Sequence, residues 1–333
     1  MSLLSKLKRT IKLGLRRAQA KKALRRNFQL DYDRFDAWGC PDRQFHLPAQ
    51  REAYILMLAH AVEKGLAFEN RRLWFGEVKI CDLIRQCRQY AKDSKDRWVI
   101  GVSTAVLRAY LGVHEGEACE KEEFKNLIEA FLEEFEREDS EIAGGLKTIT
   151  LPTGVPAGGE VTNFFQTRCS VRSFADQPVD RALLNEAVRL AQSSPSVCNR
   201  QTARVHAIDG QELQKRALAC QNGNAGFGHL ADKVVTITVD LRCFLSIGER
   251  NQAWIDGGLF AMTLIWALHS LGLVSCSLNW SAEHEQDQQL RDVLPLGEHE
   301  VVIMMLAVGH PPKELKVPCS ERRPLDTILT WHE

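Results

Sequence analysis

Eight consecutive residues, Pro152-Thr153-Gly154-Val155-Pro156-Ala157-Gly158-Gly159, divide this 333-residue chain into two textures. Two prolines and three glycines in eight positions cannot continue a helix or a central strand. Upstream, apolar residues recur at helical spacing, and no strand-like alternation appears before about residue 146. Downstream, helical patterns alternate with short apolar runs. The length exceeds the roughly 250–300 residues at which a single core stops growing, so two unequal parts are expected.

The upstream half predicts helices over 3–24, 49–68, 77–92, 96–111 and 119–139. The last of these is acidic, with an apolar stripe at Phe124, Leu127, Ile128, Phe131, Leu132 and Phe135. Downstream, 179–193 reads as a helix opened by Pro178 and Asp180, and 253–271 as a very apolar helix ending before Gly272. Residues 203–208, 233–239 and 301–308 read as strands, the last buried on both faces. Helices mixed with buried strands give an α/β (α+β) class, a sheet covered by helices. The expected organisation is a basic helix at 1–30, a helical region at 31–150, a linker at 151–161 and a mixed domain at 162–333.

The formal net charge of zero gives no reason to expect a nucleic-acid partner. It hides an asymmetry. Residues 1–30 carry ten Lys/Arg and no acid, whereas residues 115–141 carry twelve Asp/Glu against Lys121, Lys125 and Arg137. The ten cysteines form no CxxC pair and no zinc-spaced cluster. With neither a signal-peptide pattern nor an apolar run of about 18 residues, the expectation is reduced thiols and a cytoplasmic protein. Cys169, Cys198 and Cys276 read as small packing residues rather than redox centres.

Chemistry concentrates in two segments. Arg168-Cys169-Ser170-Val171-Arg172-Ser173 offers two guanidiniums and two hydroxyls, the donors a phosphate of charge near −2 prefers. Ser194-Pro195-Ser196-Val197-Cys198-Asn199-Arg200-Gln201 is a turn-forming run with two side-chain amides, suited to the polar edge of a flat heteroaromatic ring. Together they suggest a phosphorylated aromatic cofactor, and flavin mononucleotide (FMN) fits best.

From about residue 162 the chain resembles the FMN-dependent nitroreductase family. Phe164 to Phe174 is similar to that family's first helix and its Arg-x-Ser-x-Arg/Lys motif, and 194–201 to its Pro-Ser-x-x-Asn-x-Gln loop. Ala253-Trp254-Ile255-Asp256-Gly257-Gly258 and Gly272-Leu273-Val274-Ser275-Cys276 resemble its central helix and exit turn. Val308-Gly309-His310-Pro311-Pro312 and Arg322-Arg323-Pro324-Leu325 resemble its closing strand and basic C-terminal motif. The resemblance implies a helix-covered, mostly antiparallel sheet and a homodimer with FMN at the subunit interface. It implies that Arg168, Cys169, Ser170 and Arg322 meet the phosphate. Arg172 becomes the cation stabilising charge near flavin N1/O2, and Pro195, Ser196, Asn199 and Gln201 line the ring's polar edge. Asn279, in the 277–280 segment, passes close to N5. The implied reaction is ping-pong: NAD(P)H reduces FMN, and an electron-poor nitro- or quinone-type acceptor is reduced in turn. Two alternatives are an FMN-dependent dehydrogenase of a tailored substrate, and a membrane-surface accessory protein of a surface-polysaccharide pathway. The chain departs from the family pattern at Thr202-Ala203, at Asn279-Trp280, where Trp280 is expected to narrow the substrate face, and at Ser320.

Three further features remain. His60 and Glu63 share a helix face at i, i+3, which suits a structural hydrogen bond better than a metal. The basic helix 3–24 fits an anionic membrane surface, the acidic helix 119–139 of its own chain or a partner, or a solvated tail. Gly223-Asn224-Ala225-Gly226-Phe227-Gly228 lacks dinucleotide-motif spacing.

Overall fold

The computed structural model describes residues 3–68, 71–118, 121–135, 142, 144–146, 159–315, 317–318, 322 and 324–332, with backbone alone for residues 3–10. All but the last residue of the 152–159 tract lies outside them, as do residues 136–141 and Ser320.

The chain opens with one long helix, α1 (Leu3–Trp38). It is followed by α2 (Pro48–Leu66), α3 (Glu77–Asp93), α4 (Trp98–Val113) and α5 (Glu122–Glu134). The region is mainly helical, as its periodicity predicts. Helices α2 to α5 share one core, in which Ile55, Leu83, Ile100, Leu107, Tyr110, Ile128 and Phe131 are fully buried. Pro48 starts α2, where its missing N–H costs nothing.

The second half begins with α6 (Glu160–Thr167) and α7 (Arg181–Ala191), the latter capped by Asp180 accepting from the Ala182 amide. Then come β1 (Ala203–Ile208), α8 (Gln211–Ala219), β2 (Lys233–Asp240), α9 (Gln252–Ser270), β3 (Val274–Asn279), α10 (His284–Val293) and β4 (Glu300–Gly309). The four strands form one antiparallel sheet in the order β1-β2-β4-β3. Strand residues alternate between its faces. Val235, Ile237, Leu306 and Val308 pack under α7 and α9, while Val234, Met305 and Ala307 pack under α8 and α10. Strand β4 is therefore apolar throughout, because both of its faces are covered.

Among the described residues, the two halves pack together through α1 and α2. The end of α1 places Phe35 and Trp38 against Val239, Phe244 and Val301. Helix α2 lies against the turns at 197–199 and 241–243, with Ala53 packed on Cys243 and Leu245. Helix α1 thus runs well past the expected end at residue 24, because its last three turns gain a tertiary surface. Among the described residues, 11–21 of α1 are exposed throughout and make no ion pair with α5.

Candidate functional site

The loop between α7 and β1 carries the most unusual backbone in the chain. Cys198, Asn199 and Gln201 have φ of 49°, 53° and 51°, in the left-handed region that costs a non-glycine residue about 1–2 kcal/mol. Such strain persists only where the surroundings over-determine it, and here the side chains of Ser196, Asp256 and Arg200 do so. Ser196 Oγ accepts from the Gln201 amide at 2.9 Å. The buried Asp256 of α9 accepts from the Val197 amide at 3.1 Å, Thr202 Oγ1 at 3.2 Å and Gln252 Nε2 at 2.8 Å. The buried Arg200 donates to the Val197 carbonyl at 3.1 Å, the Cys243 carbonyl at 2.5 Å and Glu249 at 2.5 Å. Burial opposes ionisation of Glu249, yet the Arg200 bonds and the Leu245 amide hold its carboxyl below the usual range.

This bracing turns the polar groups of Asn199 and Gln201 outward. Both are exposed, and among the described residues neither side-chain amide has a hydrogen-bond partner. Pro195, Ser196 and Gln201 line a cleft of about 430 Å³, with Asp256 and Phe260 of α9 on one wall. Its opposite wall comes from the helical region: Glu52 and Leu56 of α2, and Trp98 of α4. Burial, aided by Asp96, raises the Glu52 carboxyl above its ordinary value.

The phosphate-type motif sits elsewhere. Ser170 bridges to Ser275 in parallel, and the Val171 amide donates to the Ser275 carbonyl at 3.0 Å, which fastens the segment to the outer edge of β3. The Arg168 guanidinium stacks 5.8 Å over Trp266 of α9, and Arg172 lies 5.6 Å over Phe227, in the other helical layer. Among the described residues neither guanidinium pairs with a carboxylate, and each makes one of these weak cation–π contacts. Cys169 is half-buried beside Arg168 in a cavity of about 250 Å³.

One chain does not bring these segments together. Ser275 stands opposite Val308, whereas Ala203 stands opposite Val239, itself opposite Val301. Seven positions along β4 and three strand spacings separate those levels, roughly 20 Å along the sheet and 14 Å across it. Arg172 and the Asn199/Gln201 pair therefore cannot meet one ring edge within a single chain. Within one chain the two segments lie at different levels and on different strands of the sheet.

The remaining expected residues fall as follows. Asn279 ends β3, and its carbonyl accepts from Gln221 Nε2 at 2.9 Å. Arg322 is exposed in the C-terminal segment. The Trp280 indole N–H donates to Asp287 at 3.1 Å, and its ring packs on the core beneath α10. His60 Nδ1 lies 3.3 Å from Glu63, whose other oxygen accepts from the Gly145 amide. That is the structural hydrogen bond its spacing suggests. Sequence reasoning missed Arg200, Glu249 and Asp256. The one available signal was a carboxylate inside an otherwise apolar helix.

Residues 166–236 match the model of the nitroreductase family. No curated protein matches the chain. Solved structures with similar backbones include an FMN-dependent nitroreductase from Clostridium difficile R20291, at 23% identity and TM-score 0.41, spanning 48% of this chain and 92% of that one. A nitroreductase family protein from Streptococcus pneumoniae TIGR4 has 18% identity and TM-score 0.45, spanning 52% and 100%. NfrA2 of B. megaterium has 20% identity and TM-score 0.46, spanning 53% and 75%. The stretch that is similar to the nitroreductase family, residues 166–236, takes in both the strand-bridged Arg-Ser-Arg motif and the braced amide loop.

Proposed function

We propose that this protein is an FMN-dependent oxidoreductase that works as a homodimer. Each flavin site takes the 168–172 motif from one subunit and the 194–201 loop from the other. The observation that carries the reading is the braced loop, in which strain is held in place to present two unpartnered amides beside a cleft. The matched family segment contains both that loop and the motif.

Bound FMN supplies the redox chemistry: electrons enter from NAD(P)H and leave to a nitro- or quinone-type acceptor, in ping-pong alternation. The chain's own residues bind and orient. Arg168 and Ser170, joined by Arg322, hold the phosphate. Arg172 places positive charge where the ring gains negative charge on reduction. Asn199 and Gln201 hydrogen-bond the pyrimidine edge, and their fixed backbone spares the ordering cost at binding. Glu52, Leu56 and Trp98 line the cleft from the helical region.

Purification with and without added FMN tests the reading. The expected protein is yellow, and anaerobic NADH or NADPH bleaches it. Colourless protein under both conditions overturns the proposal. Flavin that binds but is bleached by neither nicotinamide removes the reductase assignment. Asn199→Ala with Gln201→Ala, and separately Arg168→Ala with Arg172→Ala, should each weaken FMN binding by about ten-fold or more, read by flavin fluorescence.

A further inference from the structure

Helix α1 is about 54 Å long at 1.5 Å per residue, and its two halves have different surroundings. The second half is fastened to the sheet domain. Arg34 pairs with Asp287 at 2.9 Å, Asn27 Oδ1 accepts from the His284 amide at 2.9 Å, and Trp38 meets His299 edge-on. In the first half, residues 11 to 21 are exposed throughout. Ile11, Leu15 and Ala18 share one face by their spacing, and Ile11 and Leu15 are 54% and 61% exposed. Phe28 and Tyr32, 66% and 62% exposed, lie on the side of α1 away from the docked residues. Every charged residue among the first thirty is basic.

From this arrangement we infer that the exposed 11–21 stretch of α1 is a membrane-surface anchor, laid on anionic lipid with Ile11 and Leu15 toward the acyl boundary. Lys12, Arg16 and Arg17 reach the phosphate layer, and the aliphatic stems of Lys22 and Arg25 extend along the apolar face with their charged ends outward. The other occupants fit less well. Two copies of the stretch before Asp31 would bring ten positive charges against ten with no carboxylate between them. The acidic helix α5 supplies carboxylates but has already buried its apolar side, Phe124, Ile128 and Phe131, in its own bundle. It therefore offers no cover for Ile11 and Leu15. An anionic bilayer surface supplies both charge and apolar depth. Among the described residues no helix is long and apolar enough to cross a membrane, so the contact lies on the surface.

The test uses full-length protein and sedimenting vesicles, and it reads binding without reference to flavin. Vesicles of phosphatidylcholine mixed with phosphatidylglycerol should bind about ten-fold or more tightly than phosphatidylcholine alone, with the preference lost in high salt. Ile11→Asp with Leu15→Asp should abolish binding. Lys12→Glu with Arg16→Glu and Arg17→Glu should abolish the anionic preference. All five positions are exposed, so both variants should keep the wild-type thermal midpoint. Equal binding to both vesicle types, or wild-type binding by either variant, overturns the inference. So does a charge-reversal variant that changes the sedimentation coefficient while leaving vesicle binding intact, which would assign the helix to a second copy.

Discussion

Glu300 shows how this chain tolerates charge inside a sheet. It sits at the start of β4 beside His206 of β1 and Thr238 of β2, and His206 Nε2 lies 2.8 Å from its carboxylate. The Gly297 amide donates to its other oxygen at 3.1 Å. Burial alone would raise its pKa, but these hydrogen bonds lower it from 4.5 to about 2. A depressed carboxyl stabilises the fold above its unfolded value and loses that contribution as pH falls through the folded one. Glu300→Gln should therefore lower the thermal midpoint at neutral pH. The gap to wild type should close as pH drops from 4.5 towards 2. A constant gap across that range would show that the ionised form contributes nothing. Residues of this kind were invisible in the sequence for one reason: their partners are far away in the chain. His206 and Glu300 are 94 positions apart, Val197 and Asp256 are 59, and Arg200 and Glu249 are 49. The exposed donors Arg168, Arg172, Asn199 and Gln201 were legible because each belongs to a short local pattern.

At the scale of elements, α9 organises the second half. It packs on the sheet so closely that a Cβ on Gly257 would meet Ile303 Cδ1 at 2.7 Å and Val239 Cγ2 at 2.9 Å, while one on Gly258 would meet nothing within 4 Å. Gly257→Ala should cost about 1–3 kcal/mol through overpacking. Gly258→Ala should be neutral or stabilise by up to about 1 kcal/mol through helix propensity. Urea unfolding of the pair reads the difference, and equal midpoints would contradict the close packing. Strong apolar periodicity made α7, α9, β1, β2 and β4 readable. Strand β3 escaped notice because its serines break the apolar run, and α10 because Leu290 is its one buried residue. The end of α1 was missed for the opposite reason: the polar stretch between Arg25 and Asp36 is helical because it docks, and docking leaves no period in the sequence.

For the molecule as a whole, the outer face of α9 carries the clearest sign of an unfilled contact. Trp254, Ile255, Leu259 and Met262 stand 48%, 53%, 43% and 38% exposed, and Phe165 of α6 extends the patch at 60%. Scattered apolar residues are ordinary on a surface, but a contiguous stripe marks an interface. Leu259→Glu with Met262→Glu should convert a dimer to monomers in analytical ultracentrifugation and remove bound flavin with it. A monomeric variant that keeps its flavin would overturn the shared site.

The distance between the Arg-Ser-Arg motif and the amide loop has a consequence for how such a protein behaves when dilute. If no single chain can complete a cradle, cofactor loading and subunit association are linked equilibria. Apparent flavin affinity then depends on protein concentration. Dilution at fixed FMN should bleed flavin from the protein as subunits part, and excess FMN should in turn hold the subunits together. With the proposed shared site, flavin occupancy would become a measure of assembly.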